Sequence, residues 1–250
     1  MVSRACGIVI RSLDYGEGSK IITVYTREAG KISLMARGAK KMNSRLAAAT
    51  QPFTSAEFMF YRSGGGKMGT LNHAETTSSR QSLREEIVLS AYGAYMLEMV
   101  DRLCAENDSD PFIYDQLIAG LDSLVDGKDA QIVSHVFEMK MLMQAGYMPN
   151  LQQCASCGKA TDHPLLSAQL GGLLCEHCRA ADHNAHMTTG QVLKLLQLFM
   201  RLDMQRLGQI EVRDETKLKL KTAMRQLLDT HIDVRWRSRH VMEQMEKYGF

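Results

Sequence analysis

Alternating apolar and polar positions dominate the first 75 or so residues. Segments 6–11, 20–26 and 31–36 are mostly rich in β-branched residues and are separated by glycine turns at 15–18 and 28–30, which predicts a three-strand meander. Residues 37–52, RGAKKMNSRLAAATQP, break the alternation with Gly, Asn and a charge cluster, so a long exposed connection is expected there. Two further strands are predicted at 55–61 and 67–74, joined by a flexible hairpin turn, SGGG, at 63–66. Five short strands, meander first and hairpin last, predict a small closed barrel of the oligonucleotide-binding (OB) type; a sandwich fits the same alternation.

At Ser82 the period changes from 2 to 3.6. SLRE at 82–85 reads as a capping box, and Leu83, Ile87, Ala91, Ala94, Leu97 and Val100 form one face of a helix reaching about Cys104. Asp110 followed by Pro111 opens a second helix, which stops near Gly127. A third is expected from about Ala130 to Gly146, with a mostly apolar stripe formed by Val133, Val136, Phe137, Lys140, Met141 and Gln144. TTGQ at 188–191 is again a capping box, and further helices are expected over about 214–231 and from about Arg235 onward. The fold class is therefore α+β. A five-stranded OB-type barrel over 1–80 precedes an all-α domain over 81–250, interrupted at about 150–184 by a segment with little helical pattern.

That segment carries the chain's most specific chemistry. Cys154-x-x-Cys157 and Cys175-x-x-Cys178 are separated by seventeen residues, a spacing that lets two tight turns present four thiolates to one tetrahedral ion. Disulfides would suit a small secreted domain; here Cys6 and Cys104 are left over in apolar runs, and no signal core is present. A redox pair would need a strand-turn-helix setting that neither pair has. A zinc deaminase would need a Pro before its second pair, where Leu174 stands. One structural zinc held by Cys154, Cys157, Cys175 and Cys178 is expected. His163, His177, His183 and His186 lie near enough in sequence to substitute for a cysteine.

Charge changes the picture only when it is divided along the chain, whose net value is +2. Residues 1–84 carry 13 Lys and Arg against 5 Asp and Glu; residues 85–185 carry 5 against 15; residues 186–250 carry 12 against 8. Such segregation suggests that the barrel end meets a polyanion while the acidic middle turns away from it. In the barrel segment Arg11, Lys20, Arg37, Lys40, Lys41, Arg45, Arg62 and Lys67 are interleaved with Tyr15, Tyr25 and Tyr61. A basic groove with few aromatic platforms suits single-stranded nucleic acid held mainly through phosphates. The solvated-loop explanation for Lys40, Lys41 and Arg45 leaves the surplus charge without relief. GK at 66–67 lacks the Ser or Thr and the first Gly of a phosphate loop, which argues against nucleotide hydrolysis. No apolar run approaches the roughly 20 residues of a membrane span, so a soluble, cytoplasmic protein is expected.

The chain resembles a known family, the bacterial recombination mediator RecO. The resemblance rests on GIVIR at 7–11, DYGE at 14–17, TREAGK at 26–31, ARGAK at 36–40, SRL at 44–46 and QPF at 51–53. It continues through LE at 97–98, DRL at 101–103, FEMK at 137–140, GY at 146–147, and GG at 171–172 before the second cysteine pair. It implies a non-enzymatic, nucleoid-associated protein that binds single- and double-stranded DNA and anneals complementary strands. Such a protein works with RecR and the single-stranded-DNA-binding protein to load RecA in the RecF pathway. Carried over by position, DNA contacts fall among Arg37, Lys40, Lys41 and Arg45, with Lys20 and Lys31 on adjacent strands. The single-stranded-DNA-binding protein's tail, implied to be acidic with apolar end residues, would meet Arg201, Arg206, Lys217 or Lys221. Two other classes compete: a zinc-dependent nuclease or deaminase, which needs an open metal position, and a zinc-ribbon protein-interaction module without DNA activity.

Overall fold

A computed structural model describes residues 2–62 and 68–248. The expected turn at 63–66 and Lys67, the first residue of the expected fifth strand, lie outside the described residues. Five strands, β1 (Val2–Tyr15), β2 (Ser19–Thr26), β3 (Gly30–Ala36), β4 (Ser55–Tyr61) and β5 (Met68–Ser78), close into a barrel in the order β1-β2-β3-β5-β4. The sandwich alternative is thereby removed. All pairings are antiparallel except β3 with β5, where Ser33 to Met35 lie beside Met68 to Thr70 in parallel and seal the barrel.

The first strand is longer than its alternation suggests because it serves two partners. Residues 2–8 pair with β4, and residues 7–15 pair with β2. An irregularity between Val9 and Arg11 supplies the extra twist that lets one strand bend around the barrel. Inward positions then coincide with the period-2 pattern: Val9, Ile22, Val24, Ile32, Leu34, Phe58, Phe60 and Leu71 form a continuous buried cluster.

The connection after β3 is not the fully exposed stretch its composition predicts. It runs as successive turns and a short 3₁₀ segment, Ala48–Thr50, with Ala39, Ala49 and Phe53 buried and Leu46 packed against the barrel core. Its charged residues face outward, together with Met42, Asn43 and Ala48. The small apolar residues between them supply a lid for the core, which a reading of overall polarity misses.

Beyond the barrel the predicted first helix is interrupted. A single turn, α1 (Ser82–Glu85), is followed by α2 (Ile87–Leu103), and Glu86 between them is extended, with φ −95° and ψ 114°. The capping box does not form: Gln81 is itself helical in φ and ψ, and its side-chain amide donates to Glu85. As a result Ile87, assigned to the apolar face, is 62% exposed. The next helix, α3 (Pro111–Val125), begins as predicted, with the Asp110 carboxylate accepting from the Ile113 amide at 3.1 Å.

The chain forms two compact units. The first contains everything up to Gly127 together with the residues from Trp236 onward; the second is Lys128–Arg235. Within the first, the helix Arg237–Tyr248, α7, packs on α2. Glu98 on α2 accepts from the amides of Arg237 at 3.0 Å and Ser238 at 2.8 Å, and Trp236 meets Tyr95 edge-on at 5.9 Å. Buried Arg80 ties barrel to helices, donating to the Phe53 carbonyl at 3.1 Å, Ser55 Oγ at 2.7 Å and Asp122 Oδ1 at 2.7 Å.

In the second unit α4 (Ala130–Gln144) is the central element, buried at every position from Ile132 to Leu142. Helices α5 (Gly190–Arg201) and α6 (Asp214–His231) pack against it. Between α4 and α5 lies a small sheet that the sequence pattern does not announce: β6 (Asn150–Cys154), β7 (Leu165–Ser167), β8 (Gly172–Leu174) and β9 (His186–Met187), in the order β6-β8-β7-β9. Strands of two to five residues are too short for a period to show. Among the described residues no helix is long and apolar enough to cross a membrane.

Candidate metal centre and nucleic-acid interface

The two cysteine pairs are brought together by parallel neighbours in the small sheet. Cys154 ends β6 opposite Leu173 of β8, and Cys175 directly follows β8. Close approach of these strands requires Gly172, where a Cβ would stand 2.6 Å from the Asn150 carbonyl oxygen. Each pair then turns tightly: the Gly158 amide donates to the Cys154 carbonyl at 2.9 Å, and the Cys178 amide to the Cys175 carbonyl at 3.0 Å. Gly158 has a φ of +71°, which admits the first of these turns.

The four sulfur atoms all lie within 4.8 Å of one another, with Cys157 and Cys175 Sγ 3.8 Å apart. Sulfur atoms about 2.3 Å from a common tetrahedral zinc sit about 3.8 Å apart, so the cage has the right size. Its electrostatics also favour a cation. Burial works to raise the Cys154 thiol, but backbone amides of Cys175, Cys157 and Ser156 outweigh it and bring the thiol down to about 6. For Cys178 the hydrogen bond from Ser156 pulls down, while the Cys175 and Cys157 sulfurs push it up to about 12. The first thiolate thus forms readily and the last resists, because four anionic sulfurs crowd one small volume unless a cation neutralises them.

None of His163, His177, His183 or His186 joins the sulfur cluster among the described residues. His186 is instead shifted down by burial, against the pull of Asp182. Asp182 is an internal clip for the sheet: its carboxylate accepts from Ser167 Oγ at 2.6 Å and from the Asn184 amide at 2.9 Å. A site with four sulfur ligands leaves no coordination position for water, which makes it structural in character.

The basic residues of the barrel are dispersed by the fold into two groups. Arg37, Lys40, Lys41 and Arg45 are exposed on the connection after β3. That connection is anchored to the β1–β2 turn by the Lys40 amide, which donates to the Gly18 carbonyl at 3.1 Å, and by the Gly38 amide, which donates to Ser19 Oγ at 3.4 Å. Arg37 and Lys41, with Tyr15, Ser19 and Met35, line an open concavity of about 590 Å³. Tyr15 is 56% exposed, as a stacking platform must be.

The second group is occupied internally. Lys31 is only partly exposed and donates to the Asp101 carbonyl, with Asp101 Oδ1 3.6 Å from Nζ. Arg11 reaches the same carboxylate at 3.5 Å, and Arg27 forms a two-pronged pair with Asp115, both contacts at 3.1 Å. Part of the acidic middle segment therefore faces the barrel's own cations. Tyr25 also leaves the set of exposed aromatics: it is fully buried, 6.3 Å from Tyr114, and its hydroxyl donates to the Asp110 carbonyl. Strand alternation gives the side of the sheet on which Tyr25 lies but not the helix that covers it.

Lys20 stands between the groups. Its Nζ is 3.7 Å from Asp14 Oδ1 and donates to Ser12 Oγ at 3.5 Å, while Lys40 Nζ is 2.8 Å from Asp14 Oδ2. In the second unit, Arg201 borders an apolar hollow of about 440 Å³ with Met143, Met148, Pro149, Leu151 and Met200. Arg206, Lys217 and Lys221 do not line it, and Lys217 pairs with Asp129.

Comparison with known proteins agrees with these features. Residues 1–80 match a family model described as Recombination protein O N terminal, and residues 84–240 one described as Recombination protein O C terminal. The chain is similar to the DNA repair protein RecO of Halalkalibacterium halodurans, with 41% identity over 100% of this chain and 98% of that protein. It is 38% identical to the protein of the same name from Bacillus pumilus, over 98% of this chain and 95% of that one. For the protein of that name from Listeria monocytogenes the identity is 39%, over 97% and 94%. With identity of this level along the whole length, and with both halves matched in order, the chain belongs to the RecO family of DNA repair proteins.

Proposed function

We propose that this protein is a non-enzymatic recombination mediator that binds single- and double-stranded DNA through its barrel and anneals complementary strands. The observation that carries the reading is the exposed cluster Arg37, Lys40, Lys41 and Arg45, held on an anchored connection beside an open concavity with one exposed tyrosine. Two complementary strands repel through their phosphates; a basic surface that holds both loosely raises their local concentration, and base pairing supplies the driving force. Lys20 contributes from the edge of the cluster, and Lys31 supports it from the internal tie to α2. In this reading the four cysteines hold one structural zinc, and the protein acts in the bacterial cytoplasm at the nucleoid.

The same reading supplies the protein partners: RecR, and the single-stranded-DNA-binding protein, through which RecA is loaded in the RecF pathway. The apolar hollow bordered by Arg201 suits a tail with an acidic character and apolar end residues, since it joins a methionine-rich wall to one cation.

The test is annealing of two labelled complementary strands without nucleotide, at about 50 and 200 mM salt, the range over which phosphate contacts weaken steeply. Fast annealing at low salt that collapses at high salt, and that falls when Arg37, Lys40 and Lys41 are neutralised, is the expected result. Absence of DNA binding at both salts would leave a zinc-ribbon interaction module in its place. A second arm measures binding of the isolated tail peptide, which Arg201→Ala is expected to weaken; unchanged binding removes the hollow from the proposal.

A further inference from the structure

The most densely paired part of the exposed basic cluster surrounds an acid. Asp14 lies near the end of β1, directly opposite Lys20 in the β1–β2 register, and its side chain is 60% exposed. Its two carboxylate oxygens are divided between two lysines from different segments: Oδ2 is 2.8 Å from Lys40 Nζ, and Oδ1 is 3.7 Å from Lys20 Nζ. Lys20 is steadied further by the hydrogen bond it donates to Ser12 Oγ, and the Lys40 backbone by the hydrogen bond its amide N–H donates to the Gly18 carbonyl. The hydrogen bond from Lys40 holds the Asp14 carboxyl below the usual carboxylate range, so it is anionic throughout the neutral region. Tyr15, the next residue, lines the concavity that Arg37 and Lys41 also border.

A carboxylate and a phosphodiester share the features that matter to two lysines: one negative charge and two terminal oxygens that accept hydrogen bonds. We propose that Lys20 and Lys40 form a phosphate subsite of the nucleic-acid surface, and that Asp14 fills it as an internal stand-in whenever DNA is absent. The inference rests on the DNA-binding reading above and assigns a specificity role within it. A backbone phosphate entering the subsite displaces Asp14, so part of the attraction of the two lysines is offset in advance. The protein therefore holds strands more loosely than its cation count implies. Loose holding is what annealing requires, because a strand gripped at every phosphate cannot slide into register with its complement.

The probe is a labelled oligothymidylate, with its affinity for the full-length protein measured between about 50 and 200 mM salt. Asp14→Asn, which keeps the shape and removes the charge, is expected to bind about three- to tenfold tighter at the low end, with a steeper fall as salt rises. Asp14→Ser serves as a second variant should the amide disturb the turn. Glu17→Gln removes the same charge from the adjoining turn, and its gain is expected to be clearly smaller. In the Asp14→Asn, Lys40→Ala double variant the gain is expected to disappear. Binding by Asp14→Asn and Asp14→Ser that is equal to or weaker than wild type overturns the subsite, as does a gain from Glu17→Gln of the same size. In either case wild-type binding leaves the DNA reading standing. If none of the proteins binds, both the DNA reading and the subsite fall.

Discussion

Lys140 carries its ammonium into the interior of the second unit, where Nζ donates to the Met200 carbonyl at 3.0 Å. Burial lowers its pKa from the ordinary lysine value near 10.5, against the raising influence of Asp203. Between the lowered value and 10.5 the unfolded chain holds more protons than the folded one, so stability rises with pH across that window and levels off above it. The melting temperature of the wild type minus that of Lys140→Met is therefore expected to climb as pH approaches 10.5; a flat difference would show that Lys140 keeps an unshifted proton affinity. The cysteines pose the complementary problem of four groups that must lose protons together. Purified protein is expected to carry one zinc. Replacing Cys154 and Cys175 by serine should remove it and lower the melting temperature, while annealing measured well below the transition persists. Metal-free wild type of unchanged stability would sink this assignment. Single residues were legible in the sequence where their chemistry depends on local spacing, as with the two Cys-x-x-Cys pairs. Lys31 and Tyr25 were not, because their fate is decided by Asp101, Tyr114 and Asp110, some 70 to 90 positions away.

Among the elements, α7 depends most plainly on something outside itself. The first amides of a helix have no partner within it, and here two of them are received by the carboxylate of Glu98 on α2. A charged acceptor at a helix N-terminus also meets the favourable end of the dipole. Glu98→Ala is expected to cost about 1–2 kcal/mol, with Glu98→Gln recovering part of the loss. The chain's one tryptophan, Trp236, is buried against Tyr95 beside this cap, so its fluorescence during urea unfolding reads the first unit directly. An unchanged urea midpoint for Glu98→Ala would show that the cap contributes nothing. Elements were legible where a period could repeat. The barrel strands and α3 to α6 emerge from patterns of 2 and 3.6 sustained over seven or more residues. The break at Glu86 is local and has no periodic signature, and the four strands around the cysteines are shorter than any pattern able to announce them.

At the scale of the whole chain, the segregated charges take on a different meaning. The surplus of the first 84 residues and the deficit of the middle segment partly cancel inside the first unit, through Arg11 and Lys31 on Asp101 and Arg27 on Asp115. On the connection after β3, Arg37, Lys41 and Arg45 have no carboxylate partner among the described residues and Lys40 shares Asp14 with Lys20, so the set open to a polyanion is smaller than the charge tally suggests. Annealing should therefore depend more steeply on Arg37 and Lys41 than on Arg11 or Arg27, whose carboxylate partners lie within the protein. The return of the chain at Trp236 bears on how the protein is made. The barrel and its first three helices are synthesised early, yet the face of α2 that receives Trp236 and α7 waits until the whole of Lys128–Arg235 has left the ribosome. During that interval Tyr95 and its buried neighbours are without their covering helix and Glu98 is without its amides. The first half of the protein to be translated is thus the last to be finished. A nascent chain halted after α2 but before Trp236 presents an apolar seam that folding catalysts and proteases can recognise.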